Sequence, residues 1–202
     1  MSFFENTRKP VGFGGKIMVA MMNSGHGAMA DWGFEHITIP QTAVVLDAGC
    51  GGGTNIKKLL AKCPRGLVKG IDYSEVSVEK SQKVNAKAIE EGRCEVLQAS
   101  VAQLPFAEDS FDLVTAFETI YFWPSLADCF RELYRVIKPG GTFFICNESN
   151  GETSTDDKWV DKIGGMTIYN ADQILTALNQ AGFTDGKAAT NNEGWICVTA
   201  RK

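Results

Sequence analysis

Histidine is nearly missing from this sequence: His26 and His36 are the only two in 202 residues, and neither sits in a motif. A histidine-built metal centre is excluded on that count. Paired cysteines are missing as well. Cys50, Cys63, Cys94, Cys129, Cys146 and Cys197 stand singly, with no C-x-x-C, so reduced thiols replace a zinc site or a disulfide framework, and no metal is expected. Basic charge is not in excess: 20 Lys and Arg against 24 Asp and Glu leave a net charge of −4, without the stripe a nucleic-acid partner needs. Long apolar runs are lacking too. Ile17 to Met22 is too short to span a bilayer and is flanked by glycines and a histidine, so neither a signal peptide nor a membrane partner is expected and a cytoplasmic location follows.

What is present is a hydrophobic content of 44%, enough to bury one sizeable core. The expected division is a glycine- and methionine-rich N-terminal cap or lid over 1–40, carrying Phe13, Met18, Met21, Met22, Trp32 and Phe34, and a compact domain over 41–202. The domain opens on Val44-Val45-Leu46-Asp47-Ala48-Gly49-Cys50-Gly51-Gly52-Gly53-Thr54, an apolar strand that turns sharply into a helix. Gly49, Gly51 and Gly53 permit positive φ and close approach of a ligand, and the N–H groups that open the next helix suit an anionic group. A dinucleotide fingerprint would place its third glycine where Thr54 stands. A second strand, Leu67 to Ile71, runs into Asp72, an acid placed to accept both hydroxyls of a ribose.

Strand and helix then alternate. Ile56, Leu59, Leu60 and Cys63 form a helical stripe that Pro64 and Gly66 end. Ser74 caps a helix on which Val76, Val84 and Ala88 share a side, up to Gly92. Strands are predicted over Cys94 to Gln98, Phe111 to Phe117 and Thr142 to Asn147, the last preceded by the breaker Pro139-Gly140-Gly141. Between them Leu126, Cys129, Phe130, Leu133, Tyr134 and Ile137 form a helical stripe. Asn170 and Gln173 make a capping box for a helix stopped by Gly182, and the tail from Lys187 reads as a hairpin around Asn191 to Gly194. Such alternation calls for a parallel sheet covered by helices on both faces, with the ligand at the strands' C-terminal ends.

The stretch Asp47 to Gly53, Asp72, and then Leu97 to Phe106, Ser110 to Val114 and Arg135 to Gly141, in that order, resemble the motifs of the class I S-adenosylmethionine-dependent methyltransferases over about residues 43 to 147. The resemblance implies an α/β, Rossmann-like doubly wound, mostly parallel seven-stranded sheet with a C-terminal antiparallel pair and an N-terminal helical cap. It implies S-adenosylmethionine as cofactor and S-adenosylhomocysteine as product. Gly49, Cys50, Gly51 and Gly53 would line the methionine and ribose portions through their backbone, Asp47 the methionine end, and Asp72 the ribose hydroxyls. Tyr73 would cover the adenine, whose polar edge would face Ser100, Val101 and Ala102. Ser100 stands where the family commonly has an aspartate, so a neutral hydrogen bond replaces a charge-assisted one.

Methyl transfer is an in-line displacement in which alignment does much of the work, and a general base is optional. The aromatic segment Glu118-Thr119-Ile120-Tyr121-Phe122-Trp123-Pro124 is expected beside the transferable methyl. It lacks the Asn- or Asp-Pro-Pro-Tyr motif of adenine or glutamine methylation and the Pro-Cys of cytosine methylation, which turns the reading to a small-molecule acceptor. Tyr121 is the first candidate for acceptor contact and Glu118 the second, with His26 or His36 available as a base. The alternatives are core or lid packing for the aromatics and structural roles for the histidines. For the whole chain they are a dinucleotide-dependent oxidoreductase and a non-catalytic cofactor-binding protein. Residues 150–166, polar and anchored by Trp159 and Ile163, read as a lid or as an exposed loop, and oligomeric state is not indicated.

Overall fold

A computed structural model describes residues 27–152, 156, 158, 160–161 and 163–202; the segment 1–26 with His26, and Trp159, lie outside the described residues. Its seven-stranded sheet comprises β1 (Val44–Ala48), β2 (Leu67–Asp72), β3 (Cys94–Gln98), β4 (Phe111–Phe117), β5 (Ile137–Asn147), β6 (Thr184–Thr190) and β7 (Ile196–Arg201), in the order β3-β2-β1-β4-β5-β7-β6. The first five strands are parallel; β7 runs antiparallel to both β5 and β6. This is the expected Rossmann-like sheet with its antiparallel C-terminal pair. Neighbours of β1 lead off in opposite directions, β2 to one side and β4 to the other, so a crevice opens at the C-terminal end of β1.

The sheet's period of two divides the core between its faces. Phe143 and Ile145 of β5 pack with Phe130 and Leu133 of α5 (Leu126–Val136), Leu178 of α6 (Ala171–Ala181), and Phe183. Phe144 and Cys146 turn the other way, toward Met29 and Phe34 of α1 (Gly27–Phe34) and the cluster holding Ile56 and Leu59 of α2 (Thr54–Lys62). Each fully buried phenylalanine is worth roughly 2 to 3 kcal/mol. Helix α1 lies on the sheet face, where its Gly33 admits the Cys146 sulfur: a Cβ at Gly33 would sit 2.5 Å from it. Lys58 of α2 fastens α1 by donating to Gly27 O at 2.9 Å and Asp31 at 2.7 Å.

Capping follows the sequence. Ser125 accepts the Asp128 N–H at the start of α5, and Asn170 and Gln173 close a full capping box on α6, which ends at Gly182 in the left-handed region. Three expectations need correction. The helix predicted from Ser74 to Gly92 is two helices, α3 (Glu75–Val84) and α4 (Ala86–Glu90), joined at Asn85. Its buried side holds Ser77, Val78 and Ser81, while Val76 and Val84 are half-buried. Strand β5 begins at Ile137, not Thr142: Pro139 to Gly141 form a bulge in its pairing with β4 and do not break it. The hairpin starts at Thr184, three residues before the expected Lys187, while its turn at Asn191 to Gly194 is as expected.

Burial of polar residues on α3 has a steric cause. A Cβ on Gly53 would meet Ser81 Oγ at 2.4 Å and Asn85 Nδ2 at 2.6 Å, so small polar groups are what fit against the glycine loop. The buried Asn85 amide donates to Gly53 O and Ser81 O, both at 3.0 Å. Removing it deletes both bonds from the interior, leaving Gly53 O with only the Lys57 N–H and Ser81 O with only the Asn85 backbone N–H. Asn85→Ala is therefore expected to lower unfolding stability by about 1 to 3 kcal/mol, read as a shift of the urea midpoint without a change in slope.

Candidate active site

Of the four glycines after β1, Gly49, Gly51 and Gly53 differ in their surroundings. Gly49 is pressed under the turn that follows β4, where an added Cβ would fall 2.1 Å from Thr119 Oγ1. Gly53 is pressed under α3. Only at Gly51, with φ +50, does the missing side chain open onto empty space, as a backbone that cradles a ligand requires. Gly53 also caps α2 without a side-chain acceptor, and α2 has no acid in its first turn, so its leading N–H groups face the crevice without a built-in carboxylate. Cys50 turns its thiol beneath the loop toward Ser81, against Gly70. Burial raises that thiol well above its ordinary range, so it stays protonated and inert.

Asp72, at the end of β2, fixes the loop. Its Oδ2 accepts the Gly51 N–H at 3.0 Å and its Oδ1 accepts the Ser74 N–H at 2.9 Å, joining the first strand's turn to the second's. Burial raises its carboxyl above the usual range while these two amides pull it back. Each oxygen retains a lone pair for a hydroxyl. Next to it Tyr73 is 38% exposed. Beyond β3, Ser100 is exposed and its Oγ accepts the Ala102 N–H at 3.2 Å. That bond commits one Ser100 lone pair locally and leaves its hydroxyl proton for a ring acceptor; Val101 is buried beside it and Ala102 exposed.

Asp47 lies deeper, 2% exposed, with Oδ1 accepting the Thr115 hydroxyl of β4 at 2.7 Å. Burial pushes its carboxyl up to about 7, the Thr115 bond opposes this, and Asp72 adds to it.

Where β4 and β5 end, Glu118 takes φ +58, a left-handed conformation uncommon outside glycine. Its Oε1 accepts the Glu148 N–H and the Tyr121 hydroxyl, and Tyr121 Oη accepts the Ser149 N–H at 3.1 Å. Burial and Glu118 hold the Tyr121 phenol well above its ordinary range, as a neutral donor. Tyr121 is thus buried within a network, whereas Phe122 and Trp123 are partly exposed. His36 is exposed at the end of α1, its Nδ1 bonded to Trp32 O and its ring 4.6 Å from Trp32, a structural position. Sequence reasoning gave no individual role to Thr115, Ser149 or Asn147, and named Thr119 only as part of the aromatic segment. Asn147 is fully buried at the end of β5, with neither side-chain polar atom partnered among the described residues.

Residues 46–145 match the methyltransferase domain family. The chain belongs to the class I S-adenosylmethionine-dependent methyltransferases. Cycloartenol-C-24-methyltransferase 1 of Oryza sativa is 32% identical over 163 residues, 74% of this chain and 47% of that protein, so the chain spans about half the length of the curated relative. An S-adenosylmethionine-dependent methyltransferase of Aquifex aeolicus superposes with a TM-score of 0.75 at 19% identity, covering 92% of this chain and 97% of that one. Geranyl diphosphate C-methyltransferase of Streptomyces coelicolor, solved with Mg2+, geranyl-S-thiolodiphosphate and S-adenosyl-L-homocysteine, gives 0.73 at 14% identity over 86% and 75% of the two chains. Both structures share the fold, and neither comparison supports the dinucleotide reading.

The raised Asp47 carboxyl has a consequence for stability. Between about pH 4 and 7 the folded chain holds a proton that the unfolded chain releases, so this group's contribution is complete below pH 4 and lost as pH rises through 7. Asp47→Asn removes the dependence. The variant is expected to exceed the wild type in stability at pH 8 by more than it does at pH 5, a difference of a few kcal/mol at most, on the order of 1.4 kcal/mol per pH unit. Urea melts at the two pH values measure it; a gain equal at both would show that Asp47 is ionised throughout.

Proposed function

We propose that the chain transfers a methyl group from S-adenosylmethionine to carbon or another nucleophilic centre of a small, largely apolar molecule. The carrying observation is the Asp72 clamp: a buried carboxylate at the end of β2, bonded to the amide of Gly51, a loop glycine whose missing side chain faces open space. That arrangement fits a ribose above the loop. The rice relative named for C-24 of cycloartenol and the structural neighbour named for geranyl diphosphate are both C-methyltransferases, which supports a carbon acceptor.

Bound S-adenosylmethionine would supply a methyl group on a positively charged sulfur, open to in-line displacement. The protein's part is alignment and exclusion of water. Asp72 would hold the ribose hydroxyls; Tyr73 and the Ser100 to Ala102 turn would hold the adenine; the uncapped start of α2 and Asp47 would receive the methionine end. Phe122 and Trp123, partly exposed past β4, offer apolar surface to the acceptor. The histidine at the described site's periphery, His36, is tied to Trp32 and takes no part as a base.

Calorimetric titration with S-adenosylmethionine, S-adenosylhomocysteine and NAD tests the proposal. Both sulfur ligands are expected to bind and NAD to fail, and Asp72→Ala, checked for folding, is expected to weaken both by about 2 to 4 kcal/mol, roughly 30- to 1,000-fold. Binding of NAD in place of the sulfur ligands would overturn it.

A further inference from the structure

The ends of β4 and β5 carry a construction that cofactor binding alone does not require. Sheet order places the loop acid Asp72 at β2 and the glycine loop at β1, so a cofactor with its ribose on β2 and its methionine on β1 directs its reactive end toward β4, the next strand. Thr119 marks how close that is, since it lies against Gly49. The residue before it is Glu118, held with φ +58 although it has a side chain. Glycine would adopt that turn without strain. A carboxylate stands there instead, and it is immobilised: the Glu148 amide donates to it from the end of β5, and the Tyr121 hydroxyl donates at 3.2 Å. Tyr121 is fixed in turn by the Ser149 amide, so its own proton is directed at Glu118. One residue before Glu148, the buried Asn147 amide has neither polar atom partnered among the described residues, as at a strand end built to meet something further.

We infer that Glu118 is the fixed negative charge of the methyl-transfer end, with Tyr121 as its positioning residue, and that the acceptor is a neutral nucleophile, an alkene carbon or an amine nitrogen, which becomes cationic as it is methylated. The inference rests on the proposed function. In the transfer the acceptor's electron pair forms the new bond to the methyl carbon, the carbon–sulfur pair returns to sulfur, and the positive charge passes from sulfur to acceptor. An amine then loses its N–H proton, and an alkene the proton of the adjacent carbon, to solvent. Throughout, a cation lies at this end of the site, and a carboxylate there favours reactant and product charge alike. A carboxylate or phosphate acceptor would meet like charge.

Cofactor analogues separate this charge from mere structure without an identified acceptor. The full chain is titrated with S-adenosylmethionine, neutral S-adenosylhomocysteine, and sinefungin, whose amine replaces the sulfonium methyl. Glu118→Gln, which keeps the acceptor oxygen and loses the charge, is expected to weaken the two cations at least ~10-fold and to leave S-adenosylhomocysteine within about twofold. Glu118→Asp is expected to recover part of the loss, and Tyr121→Phe to give a smaller effect of about threefold in the same sense. Tyr121→Phe alone carries the test should Glu118→Gln not fold. Equal effects on all three ligands, or none, would overturn the inference and leave the cofactor reading standing. Failure of the wild type to bind S-adenosylhomocysteine would overturn both.

Discussion

The hydrogen bonds that Asp72 accepts from the amides of Gly51 and Ser74 hold the turn after β1 against the turn after β2. Without them the two turns would be separate loops at the end of a sheet. With them they form one surface, because the loop is also tied to β2 by the Gly49 and Cys50 amides, both donating to Ile71 O. A buried carboxylate is costly unless its oxygens are satisfied, and two amide donors meet much of that cost before any ligand arrives. The acid that would recognise a ribose is thus the acid that shapes the floor beneath it. Preorganisation of this kind leaves less to be ordered on binding.

Close approach is the second constraint. Thr119 on one side and Ser81 with Asn85 on the other occupy the volumes that side chains at Gly49 and Gly53 would fill. The loop is therefore wedged between the β4 turn and α3, and the polar interior of α3 is the consequence: small hydroxyls and one amide fit there, and the Asn85 amide donates to the Gly53 carbonyl, where leucines would do neither. Charge adds a tension to this geometry. Burial raises the carboxyls of both Asp47 and Asp72, Asp72 adds to the rise at Asp47, and burial together with Glu118 raises the Tyr121 phenol. A site with several carboxyls at one strand end gains from a cationic ligand more than from a neutral one.

The sheet and the acid Asp72 were legible in the sequence because their signals are local: strand, glycine turn, acid after the next strand. The helix from Ser74 was misjudged for the converse reason. Its apolar residues Val76 and Val84 suggest the buried face, but the face is decided by what it packs against, a loop of glycines, and so Ser77 and Ser81 turn inward. Pro139-Gly140-Gly141 looked like a terminator, yet proline and glycine are tolerated at a bulge, and the strand runs through them. The packing around the loop glycines is information that only neighbours supply: Gly49 and Gly53 are closely packed where a side chain would stand, and Gly51 is not. Asn147 and Thr119 carried no motif at all; each matters through residues far away in the chain.

Tyr121 shows how the same residue is re-read once its surroundings are known. From sequence it is the first candidate to touch an acceptor, since it lies in an aromatic segment beside the expected methyl. In the fold its ring is buried and its hydroxyl is occupied by the Glu118 carboxylate and the Ser149 amide. A phenol held neutral by burial and by an adjacent carboxylate is a poor base and a good orienting donor. Its effect on an acceptor therefore passes through Glu118, whose carboxylate it aims and whose charge it does not neutralise. Without a histidine base in the described site, chemistry of this kind suits nucleophiles that attack as neutral molecules and shed a proton only after the new bond has formed, when their acidity is high and the need for a strong base has gone.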